Sequence, residues 1–452
     1  MASFKSVNPF NNERIGEYPI LKDPEILAIL QQSENAFEQW RRTDFGIRGS
    51  CMRQLGDLLL LNKEELARLA TLEMGKTFPE AIAEIEKCAY CCQYFADHTR
   101  LFLQEQEYPS DAVRSVIRYE PLGSILAVMP WNFPFWQVFR FAAPSIMAGN
   151  VALLKHAPNV CGVALAIENI FLKAGFPPGV FQTLIIETEK TEMVISHRSV
   201  QGITLTGSEL AGSQVAALAG RAIKKSVMEL GGSDPFIVLE DADFEKAAAA
   251  AIRSRMQNAG QSCIAAKRFI TVGSSSGPFL ELLTEGIRKL RQGDPFAQGI
   301  DMGPMARPDL AEKLEEQVRA SVAMGAVLVT GGKRSGCNFP PALLKNIQPG
   351  MPAAEQEIFG PVACVMHAGT EKEAIEIANR TRFGLGASVW TNDLGKAGLF
   401  AAQIQAGAVF INAMVKSDPR LPFGGIKNSG YGRELSAFGA REFMNLKTVS
   451  YG

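Results

Sequence analysis

The stretch that decides the fold is LGSILAVMPWNFPFWQVFRFAAPSIMAGNVALLKHA, residues 122–157. Near its start GSILAVMP, and at its end NVALLKHA, are short apolar runs that predict buried strands. Between them, FWQVFRFAAPSIMAG predicts a helix that ends at Gly149. A helix that joins two buried strands indicates a parallel sheet with crossover connections.

The same alternation continues along the chain to about residue 240. The runs VFQTLII, VQGITLTG and PFIVLE predict strands, while VALAIENIFLKAG and SELAGSQVAALAG predict helices. This order predicts a doubly wound α/β sheet. The helices DFEKAAAAAIRSRMQN and EKEAIEIANRTR, with the strands RFITVG, AVLVTGG and PVACVMHAG, then indicate a second α/β domain.

The two ends of the chain differ from this pattern. The first 100 residues are mostly helical, with periodic runs such as PEILAILQQSENAFEQW, and SVIRYEP then predicts a strand with alternating faces. The last segment, EFMNLKTVSYG, predicts a terminal strand. Because an isolated strand leaves backbone groups unpaired, we expect this one to pair with another subunit.

Composition places the chain among globular proteins and suggests two or three domains for 452 residues. The net charge is −1 and no long basic run occurs, which argues against an electrostatic grip on nucleic acid. Residues 121–139 are uncharged, but Pro130, Asn132 and Pro134 interrupt them and Arg140 follows, so we expect no membrane span. The N-terminus lacks the apolar core of a signal peptide, and we expect a cytoplasmic protein.

The eight cysteines are scattered along the chain, unlike the framework of a disulfide-rich secreted protein. Cys88, Cys91 and Cys92 form a cluster inside the helical run PEAIAEIEKCAYCCQYF. A metal or redox site there would need further ligands, and none of the four histidines forms a ligand-like pair. The pattern therefore favours buried helix packing, and we expect no metal.

Two residues have the context of catalytic groups. Cys263 follows Gly260 in NAGQSCIAAKRFI, where IAAKRF can begin a helix whose N-terminus would stabilise a thiolate. Glu229 ends a strand-like run before a Gly-Gly turn, a position from which a carboxylate can activate water. Each also has a structural interpretation: Cys263 as a buried small hydrophobe, and Glu229 as half of a surface salt bridge.

The run from Gly207 to Gly212 lies between a predicted strand and a predicted helix. Its glycines permit a tight turn, and the helix N-terminus can receive a pyrophosphate. The pattern is weak alone, and no lysine follows as in a kinase-like phosphate loop.

Seven runs together resemble the aldehyde dehydrogenase superfamily, in that family's order from Pro130 to Leu435: PWNFPFW, GNVALLKHAP, TLTGSELAG, MELGGSDPFIV, GQSC, EIFGPV and PFGGIKNSGYGREL. The runs MGKTF, KHAPNV and KSDPRLPFGG are most similar to the shorter succinate-semialdehyde dehydrogenases. The resemblance implies a Rossmann-like dinucleotide-binding domain from residues 1–103 and 122–231. It also implies a second α/β catalytic domain at 232–432 and a small β oligomerisation arm from 104–121 and 433–452, in a homodimer or homotetramer.

The resemblance also assigns roles by position. Cys263 matches the nucleophile, Glu229 the general base, and Asn132 the amide that helps to hold the oxyanion. Positions that match contacts with the dinucleotide or the tunnel wall are Trp131, Lys155, Thr206, Gly207, Ser208, Gly212, Leu230, Glu357, Phe359 and Phe423. The implied reaction passes through a thiohemiacetal and a thioester, and it needs no metal.

Substrate and cofactor follow from finer matches. Arg140 and Ser417 occupy positions that hold the distal carboxylate in the resembling semialdehyde enzymes, although Arg140 could instead form an ion pair. We therefore expect succinic semialdehyde first and glutaric semialdehyde second. Pro158 stands where NAD users often carry a glutamate, and its ring can crowd a 2′-phosphate, so we expect NAD with weaker use of NADP.

Three other functions are open at this point. A coenzyme A-acylating relative shares the first half-reaction, but such enzymes typically lack the glutamate that this chain has at position 229. A non-catalytic scaffold protein would not need Cys263, Glu229, Asn132 and Lys155 together. A cysteine protease would need a histidine base, and no histidine here lies in a protease signature.

Overall fold

The computed structural model describes residues 2–452. The helices are α1 (Asp23–Trp40), α2 (Phe45–Leu61), α3 (Lys63–Met74), α4 (Phe78–Phe102), α5 (Trp136–Met147), α6 (Cys161–Lys173), α7 (Thr191–Ser196), α8 (Glu209–Arg221), α9 (Phe244–Met256), α10 (Ser276–Lys289), α11 (Pro308–Ala323), α12 (Pro352–Glu355), α13 (Glu371–Asn379), α14 (Leu394–Gln403) and α15 (Ser436–Glu442).

The strands are β1 (Ser3–Val7), β2 (Arg14–Pro19), β3 (Gln106–Tyr108), β4 (Arg114–Pro121), β5 (Ser124–Met129), β6 (Val151–His156), β7 (Phe181–Thr183), β8 (Val200–Thr206), β9 (Lys225–Glu229), β10 (Asp234–Val238), β11 (Ala266–Val272), β12 (Val327–Thr330), β13 (Ala342–Lys345), β14 (Val362–Ala368), β15 (Gly386–Trp390), β16 (Ala408–Ile411), β17 (Gly430–Tyr431) and β18 (Met444–Tyr451).

The first sheet has six strands in the order β17-β9-β8-β5-β6-β7. All neighbours are parallel except β17, which runs antiparallel to β9. The strands β5 and β6 and the helix α5 correspond to residues 122–157, so the βαβ prediction is confirmed. Because the chain reverses its winding at β5, the carboxyl ends of β5 and β8 meet at the crevice where doubly wound folds bind ligands.

The second sheet has seven strands in the order β12-β13-β14-β11-β10-β15-β16, and only the β12–β13 pair is antiparallel. The second α/β unit that the sequence predicts is therefore present. The expected boundary between residues 231 and 232 falls between β9 of the first sheet and β10 of the second. The division into domains itself stays a prediction.

The third sheet has the order β18-β4-β3, and its strands lie within the two segments that are expected to form the oligomerisation arm. The terminal strand is not isolated, because β18 pairs antiparallel with β4 from Met444↔Pro121 to Tyr451↔Arg114. The assumption that this strand is isolated is thus wrong, while its pairing with another subunit stays a prediction. Its second edge has no pairing strand within residues 2–452, and most of its side chains are exposed.

The N-terminal third differs from the sequence-based prediction in two ways. A short antiparallel hairpin, β1–β2, precedes the helices. The apolar pattern of residues 53–74 is continuous, but Asn62 separates it into α2 and α3. The cysteines Cys88, Cys91 and Cys92 are fully buried in α4, as the packing interpretation expects. Within residues 2–452, no helix is both long and apolar enough to cross a membrane.

Candidate active site

Cys263 lies in a turn between the end of α9 and β11, and its side chain is partly exposed. The expectation that a helix begins after Cys263 is wrong, because Ala266–Val272 form a fully buried strand between β10 and β14. The thiol therefore does not lie at the N-terminus of a helix formed by the residues that follow it. Burial raises the pKa of Cys263 to about 11, while Arg140 and Lys267 act in the opposite direction.

The loop before Cys263 has an unusual backbone. Asn258, Ala259 and Gly260 all have left-handed conformations, with φ of 55°, 52° and 69°. A Cβ on Gly260 would lie 2.3 Å from the carbonyl oxygen of Gly360, so only glycine permits this approach. The buried Arg255 donates from Nη2 to the carbonyls of Gly260 and Gly360, which fixes the cysteine loop against the loop of Glu357 and Phe359.

Asn132 connects the loop after β5 to the same turn. Its Nδ2 donates to the main-chain carbonyl oxygen of Gln261 at 3.0 Å, and the main-chain carbonyl oxygen of Asn132 accepts from Nδ2 of Asn258 at 2.7 Å. An amide nitrogen carries two N–H donors, so one remains for a further acceptor. Asn132 is 4% exposed, and its hydrogen-bond partner Gln261 precedes Cys263 by two residues. This arrangement suits a contact between the Asn132 amide and an oxyanion formed at Cys263.

Glu229 is the last residue of β9, as the sequence predicts, and it is 2% exposed. The surface salt-bridge interpretation is wrong, because neither carboxylate oxygen has a hydrogen-bond partner within residues 2–452. Burial raises the pKa of Glu229 well above its usual range, and Arg140 opposes that shift. Three residues later, Gly232 approaches so closely that a Cβ there would lie 2.8 Å from the carbonyl oxygen of Cys263.

Glu357 contacts this same junction. Its Oε1 accepts from the backbone N–H of Gly232 at 3.1 Å and lies 3.4 Å from Nζ of Lys267. Lys267 is buried and also donates to the carbonyls of Ser262 and Cys263, at 2.9 and 2.6 Å. The structure therefore brings Cys263, the turn after Glu229 and Glu357 together.

The turn expected to hold a pyrophosphate has the predicted form. β8 ends at Thr206, the N–H of Gly207 donates to the Glu229 carbonyl at 3.0 Å, and Ser208 caps α8 by accepting from the Ala211 N–H. Leu230 packs against Gly212. A groove of about 480 Å³ runs along this surface, lined by residues that include Gly212, Leu230 and Asn428.

The remaining expected cofactor residues are not among those that line this groove. Lys155 in β6 is 7% exposed, and its ammonium group has no hydrogen bond or ion pair within residues 2–452. Burial lowers the pKa of Lys155. Pro158 is exposed at the start of a 3₁₀ turn, and Trp131 meets Phe359 edge-on at 5.9 Å. An unpartnered buried cation and a helix N-terminus fit the phosphates and ribose of a dinucleotide.

Arg140 in α5 is 2% exposed and forms an ion pair with Glu434. Its Nη2 donates to Oγ1 of Thr206 at 3.0 Å, and its guanidinium lies 4.5 Å from the ring centroid of Phe423. Arg140 therefore forms an ion pair, which is the structural role that the sequence also allows for it. Ser417 is 7% exposed, and its Oγ accepts from Nε1 of Trp136 at 3.0 Å.

Three charged residues of this region are missing from the sequence-based set: Lys87, Lys267 and Glu434. Lys87 lies next to Cys88 in α4, and its Nζ donates to Ser417 Oγ at 2.7 Å. In the sequence, only the cysteines of this helix suggest a functional site. Lys267 lies four residues after Cys263 of the run GQSC, and Glu434 lies within the run PFGGIKNSGYGREL. Their closeness in sequence to these family motifs is the signal that could have predicted their presence at the site.

Comparisons with known proteins agree with this geometry. The model of the aldehyde dehydrogenase family matches residues 1–449. A protein of Synechocystis sp. named a probable NADP(+) succinate-semialdehyde dehydrogenase is 49% identical over 98% of both chains. An Escherichia coli succinate semialdehyde dehydrogenase named for NAD(P)+ is 44% identical over 98% of this chain and 97% of its own.

Solved structures give the same result for the fold. The succinic semialdehyde dehydrogenase of Streptococcus pyogenes, solved in complex with NADP+, superposes with a TM-score of 0.97 at 35% identity and covers 99% of each chain. The chain belongs to the aldehyde dehydrogenase family and is an NAD(P)-dependent oxidoreductase that acts on aldehydes.

Proposed function

We propose that this enzyme oxidises succinic semialdehyde to succinate through a covalent adduct on Cys263, with NADP preferred and NAD also accepted. The observation that carries the choice of substrate is the buried polar group around Ser417, which Trp136 and Lys87 both contact and which lies on the side of α5 that carries Arg140. A cationic, hydrogen-bonding end suits an aldehyde whose far end is a carboxylate. Relatives named as succinate-semialdehyde dehydrogenases support the same choice.

The chain's own residues supply most of the chemistry. The Cys263 thiolate adds to the aldehyde carbon, and the second N–H of Asn132 Nδ2 donates to the oxygen as it becomes an alkoxide. A nicotinamide dinucleotide, which Lys155 and the turn from Thr206 to Gly212 would hold, would supply the hydride acceptor for oxidation of the adduct to a thioester. Glu229 then accepts a proton from water, the resulting hydroxide attacks the thioester carbon, and the departing sulfur regenerates Cys263.

The cofactor preference reverses the NAD preference expected from Pro158. That residue is exposed, so its ring does not fill a buried phosphate site, and it supplies no carboxylate to repel a 2′-phosphate. Lys155 carries an uncompensated positive charge nearby in β6. The names of the relatives include NADP(+) or NAD(P)+.

A kinetic panel tests both choices. We expect the highest kcat/KM for succinic semialdehyde with NADP, a lower value for glutaric semialdehyde, and a much lower one for butanal, which has the same four carbons but no carboxylate. Equal values for succinic semialdehyde and butanal would contradict the substrate, and a strong NAD preference would contradict the cofactor. Formation of a coenzyme A ester instead of free succinate would identify a coenzyme A-acylating aldehyde dehydrogenase.

For assembly, we infer a homodimer or homotetramer that uses the arm at residues 104–121 and 433–452. The second edge of β18 is open, and Leu446 is exposed on that strand. An open strand edge with apolar side chains favours pairing with a second copy. Size-exclusion chromatography with light scattering is expected to give the molar mass of two or four subunits. A monomeric mass would contradict this assembly.

A further inference from the structure

The two loops that form the candidate active site both contact the beginning of α4. The Asn132 loop, residues 130–135, joins β5 to α5, and the cysteine loop, residues 257–265, joins α9 to β11. Glu80 and Glu84 are four residues apart on α4, so their side chains lie on the same side of that helix. Each of these carboxylates accepts a main-chain N–H of one of the two loops.

Glu84 holds the end of the Asn132 loop. Its Oε1 accepts from the N–H groups of Phe135 and Trp136, both at 2.8 Å. N–H groups at the start of a helix have no partner within it, and the side chain of Phe135 supplies no cap for α5. The Glu84 carboxylate is buried and forms an ion pair with the buried Lys76. The Lys76 ammonium also lies 4.2 Å from the ring centroid of Phe133, so both partners of this ion pair contact the Asn132 loop.

Glu80 holds the cysteine loop. Its Oε1 accepts from the Asn258 N–H at 2.7 Å, and its Oε2 accepts from the N–H and the hydroxyl of Thr77, at 3.2 and 2.8 Å. Asn258 has a left-handed backbone, which is costly for a residue other than glycine and persists only where surrounding contacts hold it. The Nδ2 of Asn258 donates in turn to the main-chain carbonyls of Asn132 and Gln261, at 2.7 and 3.2 Å.

The proposed oxyanion contact has to span both loops. The alkoxide oxygen forms on the carbon that bonds to Cys263, while its side-chain donor is the Asn132 amide. The Asn132 loop follows a strand of the first sheet and the cysteine loop precedes a strand of the second, so neither sheet alone determines the distance between these groups. A misplacement of about 1 Å in such an alignment can cost about 10²-fold in rate. A single helix that contacts both loops can prevent that error.

We propose that Glu80 and Glu84 are positioning residues that fix the Asn132 amide relative to the Cys263 sulfur, with α4 as their common support. This inference rests on the proposed oxyanion contact of Asn132 and names the residues that hold it in place. Glu84 fixes the loop of the amide, and Glu80 fixes the loop of the sulfur.

The test for Glu84 compares two double variants of the full-length enzyme. Lys76→Met/Glu84→Leu removes both charges and the acceptor, while the matched control Lys76→Met/Glu84→Gln removes the same charges but keeps an oxygen for the two N–H groups. The measurement is the single-turnover rate of dinucleotide reduction, with enzyme in excess over the aldehyde and NADP in excess over both. We expect this rate to fall about 10–100-fold in the leucine variant and to return to within about threefold of wild type in the glutamine variant.

The same comparison in an Asn132→Ala background shows whether the loss acts through Asn132. No amide then remains to be misplaced, so the leucine and glutamine variants should react at the same rate. The same fold-loss in both backgrounds would show a purely structural role and would overturn the proposal, as would equal rates of the two variants when Asn132 is present. Each rate is measured with succinic semialdehyde and with butanal, so that the result does not depend on the assigned substrate.

The rate of Asn132→Ala alone separates the two ways to fail. A wild-type rate in that variant would remove the oxyanion contact, and the positioning role with it. A slow rate in Asn132→Ala, together with equal rates of the two double variants, would overturn only the positioning role and leave the proposed function standing.

Glu80 provides a second test at a partly exposed site, which remains measurable even if the buried double variants are too unstable to assay. Glu80→Leu is expected to slow the single turnover about tenfold, and Glu80→Gln, which keeps an oxygen for the Asn258 N–H, should recover most of the rate. Glu86→Leu is the control, because Glu86 pairs with Lys63 on the exposed side of the same helix, and it should react like the wild type. A wild-type rate in Glu80→Leu, or an equal loss in Glu86→Leu, would overturn the role of α4.

Discussion

Two buried glutamates, Glu229 and Glu434, lie near Arg140, and their surroundings differ. Glu434 forms an ion pair with Arg140 and accepts from Oγ1 of Thr204 at 3.3 Å. Glu229, which is equally buried, has no hydrogen-bond partner for either oxygen within residues 2–452. Both carboxyl groups have a raised pKa because of burial, but only Glu434 receives direct compensation.

The difference favours a structural role for Glu434 and supports the proposed role of Glu229 in proton transfer. A paired buried ion fixes neighbouring elements, and here Glu434 connects the segment before α15 to α5 and β8. An unpartnered buried carboxyl is kept at a cost in stability, which is typical of groups that exchange protons during catalysis. The same contrast separates Arg140, which is paired, from Lys87, which is not.

Replacing the unpartnered glutamate gives the largest expected effect. In Glu229→Gln, kcat should fall by about 10²–10⁴ because the general base is lost, while the free energy of unfolding should hardly change. The first turnover should survive as a burst of reduced dinucleotide, since Glu229 acts after the thioester has formed. Stopped-flow absorbance and mass spectrometry of the trapped acyl-enzyme measure this. A variant with wild-type steady-state turnover would remove Glu229 from the mechanism.

Replacing the paired glutamate should act on stability instead. Glu434→Leu leaves Arg140 as an unpaired buried cation, which costs roughly 3–5 kcal/mol of unfolding free energy. Removing both charges, in Arg140→Met with Glu434→Leu, should restore most of that loss. The exposed pair Lys447–Glu120 provides the control, because Lys447→Met should cost less than about 1 kcal/mol. Urea denaturation checks all three, and a Glu434→Leu enzyme as stable as the wild type would contradict the structural role.

The oxyanion contact is expected to rank third. Asn132→Ala should lower kcat by about 10²–10³, the usual cost of losing one such donor. Here the burst phase itself should slow, because the adduct on Cys263 forms before oxidation, and this distinguishes Asn132 from Glu229. A burst at the wild-type rate would show that Asn132 serves only to hold the Gln261 carbonyl.

Much of this comparison could be anticipated from sequence, because motif order fixes where Cys263, Glu229 and Asn132 stand relative to the strands. Both sheets follow from apolar runs, since strands buried on both faces are continuously apolar. The sequence after Cys263 predicts a helix because IAAKRF contains good helix formers, whereas burial between β10 and β14 makes most of this segment a strand. Lys267 can lie in that buried strand only because the Ser262 and Cys263 carbonyls accept its hydrogen bonds, a partnership that no local pattern reveals.

The pairing states were also invisible in the sequence. Arg140 and Glu434 are far apart along the chain, so their ion pair depends on how α5 packs against the segment before α15. From the sequence, Lys87 is expected to be a solvent-exposed lysine of a helix. In the structure its Nζ contacts Trp136 and Ser417. Sequence motifs therefore predict the candidate reactive groups, while the tertiary packing determines which of the nearby charges are neutralised.

The smallest expected effect is a divergence of two pH profiles. Burial raises the pKa of Cys263, and the thiolate is its reactive form, so kcat/KM for butanal should rise with pH through neutrality and beyond. Burial lowers the pKa of Lys87 to about 8, so this lysine is charged below pH 8 and loses its charge above it. The ratio of kcat/KM for succinic semialdehyde to that for butanal should therefore fall, by roughly tenfold at one pH unit above that pKa if only the charged form binds the carboxylate. In Lys87→Arg the guanidinium stays charged and the ratio should remain flat; profiles that run parallel in the wild-type enzyme would instead assign the carboxylate to the paired Arg140.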